Sequence, residues 1–240
     1  NKFLLNEIPV PELYFLSRDE TIGNRAFAFY EWIEASSLAS ALNSGYVPDR
    51  DLITNAGRIL AQIHSHSYSQ VGFLGKKLEV NKTLPPLKEW YQLFLGERAR
   101  ARLGEDLVIG IQKLVEEYSD LEREITLVHG DFRPTNLLVD KASDEIKGVV
   151  DWEFAMAGHP LADIGQFFRQ DHFSNKNFPE IFINSYQRNS KRKIPENWQQ
   201  RARFRDLVNL IQMINKKGIN PDWSRQLRKL IKRTVNYLSG

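Results

Sequence analysis

Asp131 and Asn136 stand five residues apart in the stretch "LVHGDFRPTNLLVD" (127–140), and Asp151 closes the apolar run "GVVD" fifteen residues after Asn136. Two carboxylates and an amide oxygen are hard donors, the kind that hold Mg²⁺ together with substrate phosphates. A second nearby His, which zinc would favour, is absent. One carboxylate can accept the proton of a hydroxyl nucleophile. Arg133 adds a cation two residues from Asp131. A metal to neutralise phosphate charge, a group to orient the acceptor hydroxyl and a nearby cation are what phosphoryl transfer needs.

These groups need elements to position them. The apolar runs 125–128 and 137–139 predict two short strands, so the polar residues lie on the loop that joins them. Loops held by a rigid scaffold are where chemistry concentrates. Before them, "IPVPELYFL" and "AFAFYEWIE", separated by the turn "DETIGN", predict a pair of adjacent strands, the only sheet expected before residue 120. Apolar residues at three- and four-residue spacing predict helices over 49–66, 86–102 and 106–118, then over 161–169, 178–189, 196–217 and 223–238. Pro195 and Pro221 are expected to mark two helix starts. Short strands set within helices give an α+β fold.

The chain of 240 residues carries 42% hydrophobic and 26% charged residues, which excludes a disordered composition, and holds no apolar run long enough to cross a bilayer. With no cysteine, disulfides, thiolate metal sites and a cysteine nucleophile are excluded, and the expected home is a reducing cytoplasm. The first residue is Asn1, so a targeting segment removed upstream would be invisible. Residues 172–240 hold 15 Lys and Arg against 4 Asp and Glu, a balance of +11 that leaves −8 for residues 1–171. The basic residues alternate with apolar ones at helical spacing, which reads as solvated helix faces rather than a nucleic-acid tail.

"HGDFRPTN", followed by "DWE" at 151–153, resembles the catalytic loop and metal-binding segment of the aminoglycoside phosphotransferase and choline kinase group, which shares the protein-kinase-like fold. The protein-kinase signature H-R-D-L-K-P-x-N aligns with it, Gly130 standing where the Arg would be. The resemblance implies an ATP-dependent, Mg²⁺-dependent phosphotransferase acting on a hydroxyl of a small molecule. It makes Asp131 the base or acceptor-orienting residue, with Arg133 in the place of a phosphate-contacting Lys. Asn136 and Asp151 become the metal ligands and His129 a structural support of the loop. "GHPLADIGQF" is similar to the family's following segment, in which Asp163 would bond the backbone of the catalytic loop; an ordinary acidic residue at a helix N-terminus is the competing reading. "FAFYEWIE" resembles the interlobe hinge, whose backbone at Glu31, Trp32 and Ile33 would meet the adenine edge. His64, in "AQIH", reads as a packing residue.

Taken this way, residues 1–34 are the remnant of a nucleotide-binding β lobe with its hinge, and residues 35–240 a mostly helical lobe carrying the catalytic loop and substrate region. The phosphate-covering Gly-rich loop, its Lys and the partner Glu do not precede the hinge here, Lys2 being the lone Lys of that segment. A catalytically inactive, kinase-like binding or scaffold protein is therefore the alternative. The basic C-terminal helices suit a neutral or anionic acceptor better than a polycation. Nucleic acid and membrane are not expected as partners, and the oligomeric state is left open.

Overall fold

Residues 8–19, 25–118, 124–170, 173 and 177–240 are described by the computed structural model. Lys2 and most of the "DETIGN" turn lie outside them. The chain divides into two compact units, Asn1–His66 with Asp131–Phe154 and Gln170–Lys193, and Ser67–Gly130 with Ala155–Arg169 and Ile194–Gly240.

In the first unit, β1 (Leu13–Asp19) and β2 (Arg25–Tyr30) pair antiparallel, as expected for these two runs. One face gathers Phe15, Phe27 and Phe29, whose ring centroids lie 5.8 to 6.1 Å apart. A second sheet has the order β3-β7-β8, from β3 (Ser36–Ser37), β7 (Leu137–Asp140) and β8 (Glu145–Val149), all antiparallel. Helix α1 (Leu38–Asn43) is capped by the Ser37 hydroxyl. Helix α2 (Arg50–Ile63) starts at the Asp49 cap and buries Leu52, Ile53, Ala56, Ile59, Leu60 and Ile63, the face that its three- and four-residue spacing predicts. It packs on α7 (Phe178–Asn189) so closely that a Cβ on Gly57 would lie 2.4 Å from the Phe182 carbonyl oxygen, so only glycine fits there. His64, just past α2, is fully buried with Nδ1 2.8 Å from the Tyr186 hydroxyl, a satisfied packing residue.

The second unit holds the sheet β5-β4-β9-β6, from β4 (Gly72–Leu74), β5 (Val80–Thr83), β6 (Thr126–Val128) and β9 (Met156–Gly158). Its helices are α3 (Leu87–Phe94), α4 (Glu97–Leu103), α5 (Glu105–Tyr118), α6 (Leu161–Phe167), α8 (Trp198–Ile214) and α9 (Pro221–Ser239). One apolar cluster joins α3, α4, α5, α8 and α9 through residues such as Tyr91, Ile111, Phe204, Ile211 and Ile231. Tyr91 and Phe204 stack with centroids 5.0 Å apart.

Three expectations need correction. The single helix over 86–102 is two helices, because Gly96 caps a new start and the Asn215 side chain takes the Ala99 N–H at 3.1 Å. Strands β3, β4 and β5 all precede residue 120. They escaped notice because β3 and β4 span two and three residues and β5 carries three exposed polar side chains, leaving no alternation to read. Pro221 does open α9, whereas Pro195 makes a turn that takes the Trp198 N–H at 3.0 Å before α8 begins. No described helix is long and apolar enough to cross a membrane.

Candidate active site

The loop after β6 turns at Gly130, whose φ of +79° belongs to the left-handed region that glycine occupies without strain. Asp131 follows, buried to 7% exposure. Its carboxylate accepts from Arg133 Nη2 at 2.7 Å, with Arg133 Nε 2.5 Å from the other oxygen. The turn Pro134–Asn136 closes when the Asn136 N–H meets the Arg133 carbonyl at 2.9 Å, which folds the Asn136 side chain back onto Asp131. Asn136 Nδ2 then donates to the Asp131 carbonyl at 2.8 Å and to its carboxylate at 2.9 Å. With both contacts made by the NH₂ group, the amide oxygen is left without a protein partner among the described residues and remains a free donor atom for a cation.

The pairing of β7 with β8 sets Asp151 just past the strand end that neighbours Asn136. Leu137 lies opposite Val149, and the Val150 N–H donates to the Asn136 carbonyl at 3.0 Å. Asn136 and Asp151 therefore extend from matching ends of two adjacent strands. Asp151 is exposed and held at φ +68°, in the left-handed region where a non-glycine residue is strained. Among the described residues no cluster of three or more His, Cys, Asp or Glu is placed to hold a metal. One amide oxygen and one carboxylate fit a Mg²⁺ ion that takes its other oxygens from water and phosphate, and do not fit zinc.

His129 and Asp163 belong to the second unit. The Asp163 carboxylate is fully buried and accepts the His129 N–H at 2.7 Å and the Gly130 N–H at 2.9 Å. Asp163 lies in the first turn of α6 with both carboxylate oxygens turned to the backbone of the loop. The His129 ring is itself fully buried. After β2, the Glu31 N–H donates to the Glu12 carbonyl at 2.8 Å, and the Glu31 carboxylate accepts from the Glu12 N–H at 3.1 Å. Glu31 is thus tied to the residue just before β1, so its N–H is already spent. Trp32 is 89% exposed, and the Ile33 carbonyl takes the Ala35 N–H at 3.0 Å. The N–H of Ile33 makes no backbone hydrogen bond with described residues.

Two features carried no signal in the motif. Gln166, three residues after Asp163 on α6, donates to the Gly130 carbonyl at 2.8 Å. Arg169 and Asp206 form a buried two-pronged pair at 2.8 and 2.6 Å that links the segment after α6 to α8. Only the helical spacing from Asp163 could have pointed to Gln166, and nothing in sequence joins positions 169 and 206.

Residues 2–204 match the model of the family described as phosphotransferase enzyme family. The human protein named acyl-CoA dehydrogenase family member 11 is 26% identical over 187 residues, 76% of this chain and 23% of that protein. The Arabidopsis thaliana protein named "Probable acyl-CoA dehydrogenase IBR3" is 23% identical over 165 residues, 66% of this chain and 20% of that protein. The chain therefore spans about a fifth of the length of these curated relatives. Among solved structures, APH(2″)-IIIa in complex with GDP and kanamycin superposes with a TM-score of 0.72 at 13% identity, covering 98% of this chain and 80% of that one. A thermostable aminoglycoside phosphotransferase APH(4)-Ia bound to ADP and hygromycin B gives a TM-score of 0.67 at 16% identity, covering 99% and 82%. At such identities the likeness shows the shared kinase-like α+β fold, while the match over most of its length shows that this chain belongs to the phosphotransferase enzyme family.

Proposed function

We propose that the protein transfers the γ-phosphoryl group of ATP to a hydroxyl of a small molecule. The observation that carries this reading is the arrangement of Asn136, whose NH₂ group is fixed by Asp131 and whose oxygen is left beside the strand end that bears Asp151. With its NH₂ group spent on Asp131, the oxygen is the end of this amide that is open to a cation. In this reading Asp131 orients the acceptor hydroxyl and takes its proton as oxygen attacks the γ-phosphorus and the bond to the β-phosphate oxygen breaks, releasing ADP. Because such a transition state is loose, positioning counts for more than base strength, and the bonds from Arg133 and Asn136 hold the Asp131 carboxylate in one orientation. Asn136 and Asp151 would hold Mg²⁺, which neutralises charge on the nucleotide phosphates. Arg133 lies close enough to Asp131 to share the charge of the transferring group, and His129 with Asp163 supports the loop. The backbone at Trp32 and Ile33 is the adenine edge, Glu31 contributing through its two bonds to Glu12.

The acceptor class follows from charge. The +11 balance of residues 172–240 repels polycations such as the kanamycin or hygromycin of the solved neighbours. It suits a neutral or anionic hydroxyl compound; the relatives are named for acyl-CoA, and an acyl-CoA that bears a hydroxyl is one anionic candidate. The test uses protein purified from its native gene, with ATP and Mg²⁺ and a panel of sugars, polyols, aminoglycosides and hydroxyacyl-CoA compounds, read by ADP release. Asp131→Asn is expected to lower turnover by about 10³-fold with an unchanged melting temperature. Turnover retained in that variant would sink the proposal.

A further inference from the structure

We propose that Gln166 is a positioning residue for the catalytic loop, setting the direction from which Asp131 departs. This inference rests on the phosphotransferase reading above. The Gly130 peptide is held on both sides: Asp163 Oδ1 takes its N–H at 2.9 Å, and Gln166 Nε2 meets its carbonyl at 2.8 Å. The Gly130 carbonyl lies in the rigid plane of the peptide bond that leads into Asp131, so fixing that oxygen fixes the plane. Gly130 has the least intrinsic restraint on its backbone, and at φ +79° it would otherwise turn freely. Gln166 supplies the restraint the glycine lacks.

A second observation separates this role from packing. Gln166 is 4% exposed, and its Oε1 is buried without a hydrogen-bond partner among the described residues. Burying an unpaired amide oxygen is unfavourable, and an apolar side chain of the same length would avoid it. Space filling therefore does not explain a glutamine here, whereas a requirement for its donor does. The helix that carries it is itself locked. A Cβ on Gly165 would fall 2.1 Å from the Ala202 carbonyl on α8, and the Arg169–Asp206 pair ties the next turn to the same helix. Gln166 is thus presented from a fixed support.

The test compares Gln166→Met and Gln166→Glu, both close in size and neither able to donate to the carbonyl when the Glu is ionised. Readouts are melting temperature, kcat and KM for ATP, and amide hydrogen exchange over 129–133 in the protein purified from its native gene. Gln166→Met is expected to leave the melting temperature within about 3 °C, because it loses one donor contact and one orphaned acceptor together. Its kcat should fall about 10-fold, about 1.4 kcal/mol in barrier, with KM for ATP unchanged and exchange over 129–133 faster. Gln166→Glu should lose more, since its carboxylate faces the carbonyl. Unchanged kcat with faster exchange would overturn the positioning role, and unchanged exchange would overturn the restraint itself. Absence of any phosphoryl transfer by the unmodified protein would instead strike at the phosphotransferase reading, and the exchange experiment would still decide whether Gln166 restrains the loop.

Discussion

Two Asp–Arg pairs in this protein use the same chemistry for different ends. Arg169 and Asp206 have side chains 7% and 5% exposed, lie 37 residues apart in sequence and meet through two aligned hydrogen bonds. Asp131 and Arg133 are neighbours in one loop, with side chains 10% and 32% exposed, and the carboxylate is shared with Asn136. The first pair is buried and joins two segments of one unit. In the second, the cation is open to solvent on one side and the carboxylate sits beside an amide oxygen with no protein partner. Burial and sharing, rather than the presence of an ion pair, distinguish the structural clasp from the pair at the candidate site.

That contrast can be broken by measurement. The Asp131→Asn change described above should have the largest effect on turnover and almost none on stability. Asp206→Ala should do the reverse: it removes a buried carboxylate and both of its bonds to Arg169, costing about 3 to 5 kcal/mol in urea unfolding. A cost below about 1 kcal/mol would place Arg169–Asp206 among surface pairs and erase the distinction. Arg133→Ala comes next, with kcat down about 10²-fold and unfolding free energy changed by less than about 1 kcal/mol, because the pair is partly solvated. A loss of stability as large as that of Asp206→Ala would make the loop pair structural as well.

The smallest effect concerns the Asp144 carboxylate, which accepts from a hydroxyl. The Tyr46 hydroxyl donates to Asp144, and burial, then that bond, then the Asp144 charge raise its pKa well above the ordinary value of about 10. Folded protein therefore keeps the phenolic proton at a pH where the unfolded chain loses it. The contribution is fully present below pH 10 and fades as pH rises beyond it. Melting curves between pH 9 and about 11.5 should fall less steeply for Tyr46→Phe than for the unmodified protein, and parallel curves would show that this bond has no share in the alkaline loss.

Much of the site was legible in the sequence because its parts are close along the chain. Asp131, Arg133 and Asn136 fall within six residues, so one turn decides their geometry, and Asp151 follows by a single strand pairing. The long amphipathic helices were legible for a similar reason, as α7 shows, where the apolar spacing over 178–189 matches the helix observed. Strands β3 to β5 were not, since short pieces of two to four residues leave no alternation and exist only because a partner strand supplies their hydrogen bonds. The division of 86–102 at Gly96 was hidden as well, because the cap comes from Asn215, more than a hundred residues away.

By itself the sequence determined the donor atoms of the site, their order on one loop and the amphipathic faces of the helices, since these depend on residue type and on contacts a few positions apart. Only the tertiary structure decided that Asp163 holds the loop backbone, that Gln166 grips the Gly130 carbonyl and that Arg169 finds Asp206. Each of those bonds joins residues more than thirty positions apart, and a buried polar group reveals its purpose only when the partner that satisfies it is brought alongside.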